Sequence, residues 1–600
     1  MDQVASPREI YTARLAERTD RLTVLQNRRS RIGSLRLLVF LAIAGLLWEA
    51  FHGISLWWTG VPVAVFIALV WWQSRVERDA EYLRRAIRFY ERGIARLENR
   101  WQGTGESGDR FLDPHHPYSG DLDLFGRAGL FELLSTARTR GGESRLAAWL
   151  RAPSPIGELR ARHQAVDELR PLLDLREQIA ILGDDFRAGV HPEQLARWAG
   201  EPAHPFPAWM RALALAFSLI AFATIVWWVA TEFVDLDARL ALLAIGSIEG
   251  LFALSIRARI LPIVHAVEDP AHDLDLLSQI LAAVEKQRFQ SPRLAALRAA
   301  IDVNGAHGSN RASHRIQRLH RWMELLDSRD NTFVRVFGPL LLWTTQLAMG
   351  LETWRAENGP RVAGWLDAVS EIEALSSFAN YAWEHPSDPF PEFTESEPAF
   401  DGVALGHPLL AEDRCVRNSV ALNAPLRLLI VSGSNMSGKS TLLRTVGVNT
   451  VLALAGAPVR AERLALSHLS LGASIRTVDS LEEGHSRFMA EILRLKQVLE
   501  LPPPALFLLD ELLHGTNSHD RALGSEGLIR ALLTRGAIGL VTTHDLSLAR
   551  VADELAPAAA NVHFEDRLEG GRLVFDYRMR PGVVARSNAL DLMRAVGLNV

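Results

Sequence analysis

The 600-residue chain has a single cysteine, Cys415. That excludes a disulfide framework and any cysteine-rich metal site, and it suits a reducing compartment. Charge of one sign is not in excess either. The 65 Lys and Arg against 70 Asp and Glu give a formal net charge of −5. Nucleic-acid binders often carry a strongly basic balance, so a nucleic-acid contact here would need a local basic face. There is no internal repeat and no low-complexity tract. The pattern does not predict a cleavable leader, because the first apolar run starts late and a second follows at once. A chain this long exceeds what one core can organise, so several domains are expected.

What the sequence does have is long apolar runs. Residues 37–48 and 54–72 are nearly uncharged, with Glu49 and His52 between them. A second pair occupies residues 212–230 and 240–256, and Glu249 lies inside its second arm, where a charge costs free energy in lipid. Each pair reads as a transmembrane hairpin, with a buried hairpin of a soluble core as the alternative. Arg28, Arg29, Arg31 and Arg36 precede the first pair, and Arg75, Arg78, Arg84 and Arg85 follow it. Arg211 precedes the second pair, and Arg257 and Arg259 follow it, whereas the turns carry Glu49, or Glu232, Asp235 and Asp237 with one Arg239. The positive-inside rule then puts both turns outside. Trp57, Trp58, Trp71, Trp72, Trp227 and Trp228 would form the interfacial belt. The expectation is a multi-pass protein of the cell (inner) membrane, with the lipid bilayer as a partner and the remaining domains cytoplasmic.

The domain plan follows from these runs. Residues 1–33 form a polar cytoplasmic segment and 34–73 the first hairpin. Residues 74–120 are an amphipathic helix and a Gly/Pro-punctuated linker; Arg84, Arg85 and Arg88 there suit either anionic lipid or a solvated face. Residues 121–205 are helical, 206–257 are the second hairpin, and 258–400 are helical again. Within the last, the apolar stretch 336–350 holds Pro339, Thr344, Thr345 and Gln346. At about fifteen residues it is too short to span and is expected to be one buried helix. Residues 401–600 form an α/β domain.

The chemistry is concentrated in that last domain. An apolar strand pattern over 428–431 breaks into Gly433-Ser434-Asn435-Met436-Ser437-Gly438-Lys439-Ser440-Thr441, and a helix pattern follows. This is the strand–loop–helix setting of a phosphate-cradling P-loop. The two glycines let successive N–H groups converge on phosphate oxygens. Lys439 can reach the β- and γ-phosphates, and the Ser440 hydroxyl can ligate Mg²⁺. The helix N-terminus adds its positive dipole end. The cofactors implied are ATP and Mg²⁺. About seventy residues on, the buried strand pattern Ala505-Leu-Phe-Leu-Leu ends in Asp510-Glu511. Carboxylates at the C-terminal end of such a strand lie where α/β sites form. Asp510 is expected to hold Mg²⁺ and Glu511 to act as general base. A further strand pattern, 538–542, ends in Thr543-His544.

These residues carry a resemblance. The loop is close to the Gly-Pro-Asn-Met-Gly-Gly-Lys-Ser-Thr of the MutS family of ATPases, with Asn435-Met436 as its distinctive pair and with departures at Ser434 and Ser437. Gly406-His407-Pro408 resembles the element that precedes that family's ATPase core. Gly484-His-Ser486-Arg-Phe488-Met489-Ala-Glu491 resembles its signature element, in which Ser486 would face the γ-phosphate held by a partner subunit. Gly515-Thr516 resembles its D-loop-like segment, and His544 matches its switch histidine. Asp121-Leu-Asp-Leu-Phe-Gly126, Thr139, Gly141-Gly142, Trp149-Leu150 and Arg162-His-Gln-Ala-Val166 resemble the start of its core helical domain. The last strands and the helix from Ser587 to Leu598 resemble its C-terminal end. The adenine contacts of the family precede an Asn; here the matching stretch is Cys415-Val416-Arg417-Asn418. Val416 and Asn418 are the implied contacts, and cysteine stands where an aromatic partner is expected, so adenine packing would be weaker or supplied elsewhere.

The resemblance covers roughly 121–200 and 258–600 and implies the fold class: α plus α/β, with transmembrane hairpins, a helical core and lever region, and a C-terminal ABC-type P-loop ATPase domain. The mismatch-reading domain of repair members, with its Phe-x-Glu wedge, is missing, and the first hundred residues are a hairpin instead. Two readings stay open. One is a membrane-anchored, Mg-dependent ATP hydrolase that binds DNA, mismatched or branched, through an ATP-switched homodimer. The other is a membrane-associated mechanical ATPase acting on a protein or lipid partner. A transporter-type ATPase fits poorly, since no Leu-Ser-Gly-Gly-Gln signature is present.

Overall fold

The computed structural model describes residues 5–50, 56–181, 192–231, 234–265, 271–302, 311–328, 334–335, 338–395, 397–434, 436–475, 487–513, 517–544, 546–569 and 572–584. The chain divides into two compact units. The first collects Met1–Ser135, Leu146–Pro171 and Ser377–Val600; the second collects Thr136–Arg145 and Leu172–Ser376.

The first unit is built on a six-stranded sheet. Its strands are β4 (Leu428–Ser432), β6 (Ser470–Ser474), β7 (Ala505–Asp510), β8 (Ile538–Thr543), β9 (Ala559–Glu569) and β10 (Arg572–Pro581), in spatial order β10-β9-β4-β8-β7-β6. All neighbours run parallel except β9 and β10. Every residue of β4 and β8 is buried, as expected when a parallel sheet is covered on both faces. One cover is an apolar cluster of Leu495, Val498, Ile529, Leu532, Leu548 and Val551 on Ile430, Phe507 and Val541. Helix Lys439–Ala455 packs on the sheet as well. It comes so close that a Cβ on Gly447 would lie 2.5 Å from Leu122 and 2.8 Å from Leu508. A smaller sheet, in the order β1-β5-β2-β3, is made of β1 (Glu392–Phe393), β2 (Phe400–Leu405), β3 (Asn418–Leu422) and β5 (Arg463–Leu466).

The motif block 121–166 finds its physical reason here. Asp121 Oδ1 accepts from the Ile475 N–H at 2.7 Å, and Arg444 donates to the Asp121 carbonyl at 3.2 Å. Arg162 donates to the Ala455 carbonyl at 2.8 Å and lies 3.9 Å over the Trp149 ring. A cation there satisfies the C-terminal end of helix Lys439–Ala455. Residues 121–129 are turns; the helices of this block are Leu130–Leu134, Arg140–Arg151, Ile156–Leu169 and Leu173–Ile181.

The first apolar pair forms two long helices, Pro7–Ala50 and Gly60–Leu97. Each is continuous, so the polar segment before the first arm and the amphipathic stretch after the second are extensions of the same helices. Phe40 and Phe66 meet between them at 6.4 Å.

In the second unit, helices Ala208–Ala230 and Leu236–His265 form the other hairpin, with Phe217 against Phe252 at 5.7 Å and small Ala214, Ser218 and Ala221 buried. Stretch 336–350 is not one helix. Its described part is a 3₁₀ turn, Pro339–Leu341, then a left-handed Leu342 (φ 46°), then helix Trp343–Glu384. Proline, with its fixed φ and no N–H, begins the tighter turn. The turn packs on the hairpin: Ser218 Oγ donates to the Leu341 carbonyl at 2.7 Å and accepts from Gln346 at 2.7 Å. Elsewhere in this unit, buried Glu373 accepts from the N–H groups of Arg138 (2.9 Å) and Thr139 (3.1 Å) and from the Thr139 hydroxyl.

Among the described residues, three helices are long and apolar enough to cross a membrane: Pro7–Glu49, Ala208–Trp228 and Leu236–Val264. The second arm expected at 54–72 lies partly outside the described residues. The apolar side chains of the three helices face outward, with Leu38 64%, Leu219 60% and Leu251 69% exposed.

Candidate functional site

A cavity of about 860 Å³ opens at the C-terminal ends of β4 and β7. Its wall includes Ser434, Met436, Gly438, Lys439, Ser440 and Thr441 from the loop and helix start, Asp510 at the end of β7 and Glu511 just after it, and Leu410, Val416, Asn418 and Tyr577. Strand β4 delivers the chain to the loop, and Gly438, at φ 105°, turns it into helix Lys439–Ala455. A Cβ at that φ is strained. Gly433 also leaves no room for one, since it would lie 2.8 Å from Ser437 Oγ.

Lys439 is only 4% exposed. Its ammonium donates to the carbonyls of Gly433 (2.7 Å) and Ser434 (3.0 Å) and lies 3.6 Å from Glu511 Oε1. Burial holds it below the usual lysine range, and the charges of Glu511 and Asp510 pull it back up. Asp510 and Glu511 are both held by Thr542. The Thr542 hydroxyl, on neighbouring β8, donates to Asp510 Oδ1. It accepts the Glu511 N–H at 3.1 Å. Glu511 itself takes a left-handed φ of 47°, a conformation that persists where its surroundings over-determine it. His544 Nδ1 is 3.5 Å from Glu511 Oε1, so the ends of β7 and β8 bring carboxylate and histidine together.

Glu491 is buried and accepts the Leu513 N–H at 2.6 Å, which fixes the turn after Glu511. Asn435, Ser486, residues 514–516 and residues 585–600 lie outside the described residues.

Cys415 does not line the cavity; its sulfur accepts the His407 N–H at 3.3 Å. Sequence reasoning missed the aromatic that does. The β9–β10 register shifts between Phe575 and Met579. Asn418 bridges that irregularity, donating to the Tyr577 carbonyl at 3.0 Å and accepting the Met579 N–H at 2.8 Å. Tyr577, at φ 54°, is thereby set on the cavity wall, with its ring 3.1 Å from where a Cβ on Gly438 would stand. The signal was an aromatic pair, Phe575 and Tyr577, in the last strand, which the side chain of Asn418 at the start of β3 meets. Asn418 therefore shapes the wall through the backbone it holds.

The residues fit a nucleotide with a divalent ion. The buried Ser434 hydroxyl, on the cavity wall, has no partner among the described residues. No group of three or more His, Cys, Asp or Glu that could hold a metal occurs among the described residues. A hydroxyl and one carboxylate, Ser440 and Asp510, suit Mg²⁺ shared with phosphates, which is how that ion is usually bound.

Residues 429–599 match the family model MutS domain V. Endonuclease MutS2 of Thermus thermophilus is 35% identical over 201 residues, 32% of this chain and 25% of that protein. DNA mismatch repair protein MutS 2 of Halobacterium salinarum is 31% identical over 285 residues, 46% of this chain and 32% of that protein. DNA mismatch repair protein MutS of Shouchella clausii is 32% identical over 239 residues, 38% of this chain and 27% of that protein. The matched regions thus span a quarter to a third of these relatives. Residues 429–599 are thus a domain of the MutS type.

Proposed function

We propose that the chain is a membrane-anchored, Mg-dependent ATPase of the MutS type. The observation that carries this reading is the convergence of Lys439, Asp510 and Glu511 on one cavity, with His544 3.5 Å from Glu511. Phosphate oxygens would replace the Gly433 and Ser434 carbonyls at the Lys439 ammonium. Backbone N–H groups of 433–438 would complete the cradle, with Asn435 within it. Bound Mg²⁺, held by Ser440 and Asp510, would neutralise charge that develops on the phosphates. Thr542 keeps the Asp510 carboxylate aimed there. Glu511 would draw the proton from the attacking water, and His544 beside it would respond to the γ-phosphate. Tyr577, with Val416 and Leu410, would pack the base, the part that Cys415 does not supply.

A homodimer closed by ATP completes the reading, with Ser486 reaching the partner's nucleotide. Its first target is DNA, mismatched or branched, clamped between the long helices; the relatives' names carry mismatch repair and endonuclease for those proteins. A second reading, force on a protein or lipid partner, is favoured by the exposed apolar helices and the net charge of −5. In both, the apolar hairpins hold the ATPase at the cytoplasmic face of the cell membrane.

ATP hydrolysis by full-length protein in lipid nanodiscs, with and without DNA, separates these. Glu511→Gln should bind ATP but lower turnover by about two orders of magnitude or more. Normal turnover in that variant would remove Glu511 as the base. Absence of nucleotide-dependent DNA binding at low salt would remove the DNA target.

A further inference from the structure

The first hairpin ends on the ATPase side of its own unit at a single carboxylate. Glu384, the last residue of helix Trp343–Glu384, has a side chain 1% exposed. Arg96, in the last turn of helix Gly60–Leu97, grips it with two hydrogen bonds, at 2.7 and 2.5 Å. Tyr11, in the second turn of helix Pro7–Ala50, donates to the same group at 3.2 Å. Gly93 lets the Tyr11 ring in: a Cβ there would lie 2.5 Å from it. Both arms of the hairpin therefore converge on Glu384.

The next residue continues the connection. His385 Nδ1 lies 3.0 Å from Arg460 Nη1, and a guanidinium can only donate, so the imidazole accepts. Arg460 is also 3.4 Å from Asp388, which the Tyr381 hydroxyl contacts at 2.9 Å. The Arg460 backbone N–H then donates to Asn449 Oδ1 at 2.7 Å. Asn449 donates to the carbonyls of Gly406 (2.9 Å) and Thr445 (2.8 Å). Thr445 is one turn back on the helix that Lys439 begins, and Thr445, Leu405 and Leu410 all line the cavity.

We propose that Glu384 and Arg460 are positioning residues that tie the base of the first hairpin to the nucleotide cavity, so that the hairpin's placement in a membrane sets ATP affinity. This rests on the reading that the cavity takes ATP. A buried ion pair is weak evidence for stability, and its best-attested use is to fix register. Here it fixes two helix ends against the start of a hydrogen-bonded path to the cavity wall. If the hairpin acts on ATP binding, ATP binding must act on the hairpin by the same factor.

The test uses full-length protein in phosphatidylcholine/phosphatidylglycerol nanodiscs, with binding of a fluorescent ATP analogue and steady-state KM and kcat. Arg96→Ala should weaken ATP binding on the order of three- to tenfold, with kcat little changed. Glu384→Gln should do the same, and the double variant should be no worse than either single one. In wild type, ATP should slow amide exchange across residues 85–97; in Arg460→Lys, which cannot span both His385 and Asp388, that response should vanish. If Arg96→Ala does not fold, Arg96→Lys, which keeps the charge and loses the fork, carries the test. Unchanged affinity in the Arg96 variants, with binding lost in Lys439→Ala, would overturn this inference and leave the ATPase reading standing. Failure of wild type to bind nucleotide would bring down both.

Discussion

Lys439 and Glu249 are both nearly enclosed, at 4% and 2% exposure, yet they are buried in opposite ways. Lys439 has two carbonyls and the Glu511 carboxylate around it. Glu249, in an apolar helix of the other unit, has no hydrogen-bond partner for either oxygen among the described residues. Burying a charge is costly unless partners replace water. The first site meets that cost within the chain, by a loop and a strand end that exist to hold it. The second leaves it unmet, and a polar group left so in an apolar helix is by default a functional signal. The pair teaches that burial marks a candidate, and partner count separates a finished site from one that awaits something.

The largest effect should come from the finished site. Lys439→Met keeps the length of the side chain and removes its charge. It should lower ATP turnover on the order of a thousandfold, about 4 kcal/mol of barrier, as read by phosphate release. It also removes the buried cation beside Glu511, so the variant should be less stable than wild type. Turnover within tenfold of wild type would break the contrast, because Lys439 would then be only a structural cation.

A second test sharpens the difference between the two units through acid. In the first unit, burial holds His163 and His407 down to about 4 and His385 to about 3, with neighbouring Arg162, Arg444 and Arg460 adding to it. Below the ordinary histidine value the unfolded chain takes up protons that the native one refuses, so stability falls as pH falls. Between pH 7 and 5 the loss is on the order of 2 kcal/mol for each group. Glu373, in the second unit, behaves oppositely. Burial lifts it to about 7 against the hydrogen bonds from Thr139 and Arg138. Its contribution is fully present below the ordinary carboxylate value and is lost as pH rises through about 7, so acid adds on the order of 2 kcal/mol. Hydrogen exchange corrected for intrinsic rate should show core amides of the first unit opening more readily at pH 5, and those around Glu373 less readily. Parallel changes in both units would contradict these assignments.

The sequence made the finished site legible because its chemistry is local. A strand pattern, two glycines, a lysine and a strand-end carboxylate pair need only short-range spacing to be read. The same holds for the apolar helices, whose length and composition suffice. What escaped depends on contacts between distant segments. Thr542 matters because β8 lies beside β7. Tyr577 matters because Asn418, far away in sequence, stabilises a bulge. The 336–350 stretch reads as one helix by composition, but Pro339 and the Ser218 hydroxyl favour a turn there instead. Arg162 stands out in sequence only as part of a family-like block; its role depends on helix Lys439–Ala455 ending against it.

The smallest effect expected is at Glu249, and its sign is what matters. Replacing an unpartnered buried carboxyl by an apolar residue of similar size removes a desolvation cost and removes no hydrogen bond. Glu249→Leu should therefore raise the melting temperature of the full chain in nanodiscs, by about 2–4 °C for a gain near 1 kcal/mol. Lys439→Leu, the same kind of change at the finished site, should lower it. If Glu249→Leu instead destabilises the protein, then something outside the described residues partners that carboxylate in the native state. Glu249→Gln then discriminates: an amide that restores stability points to a hydrogen-bond donor there, and one that does not points to a positive charge.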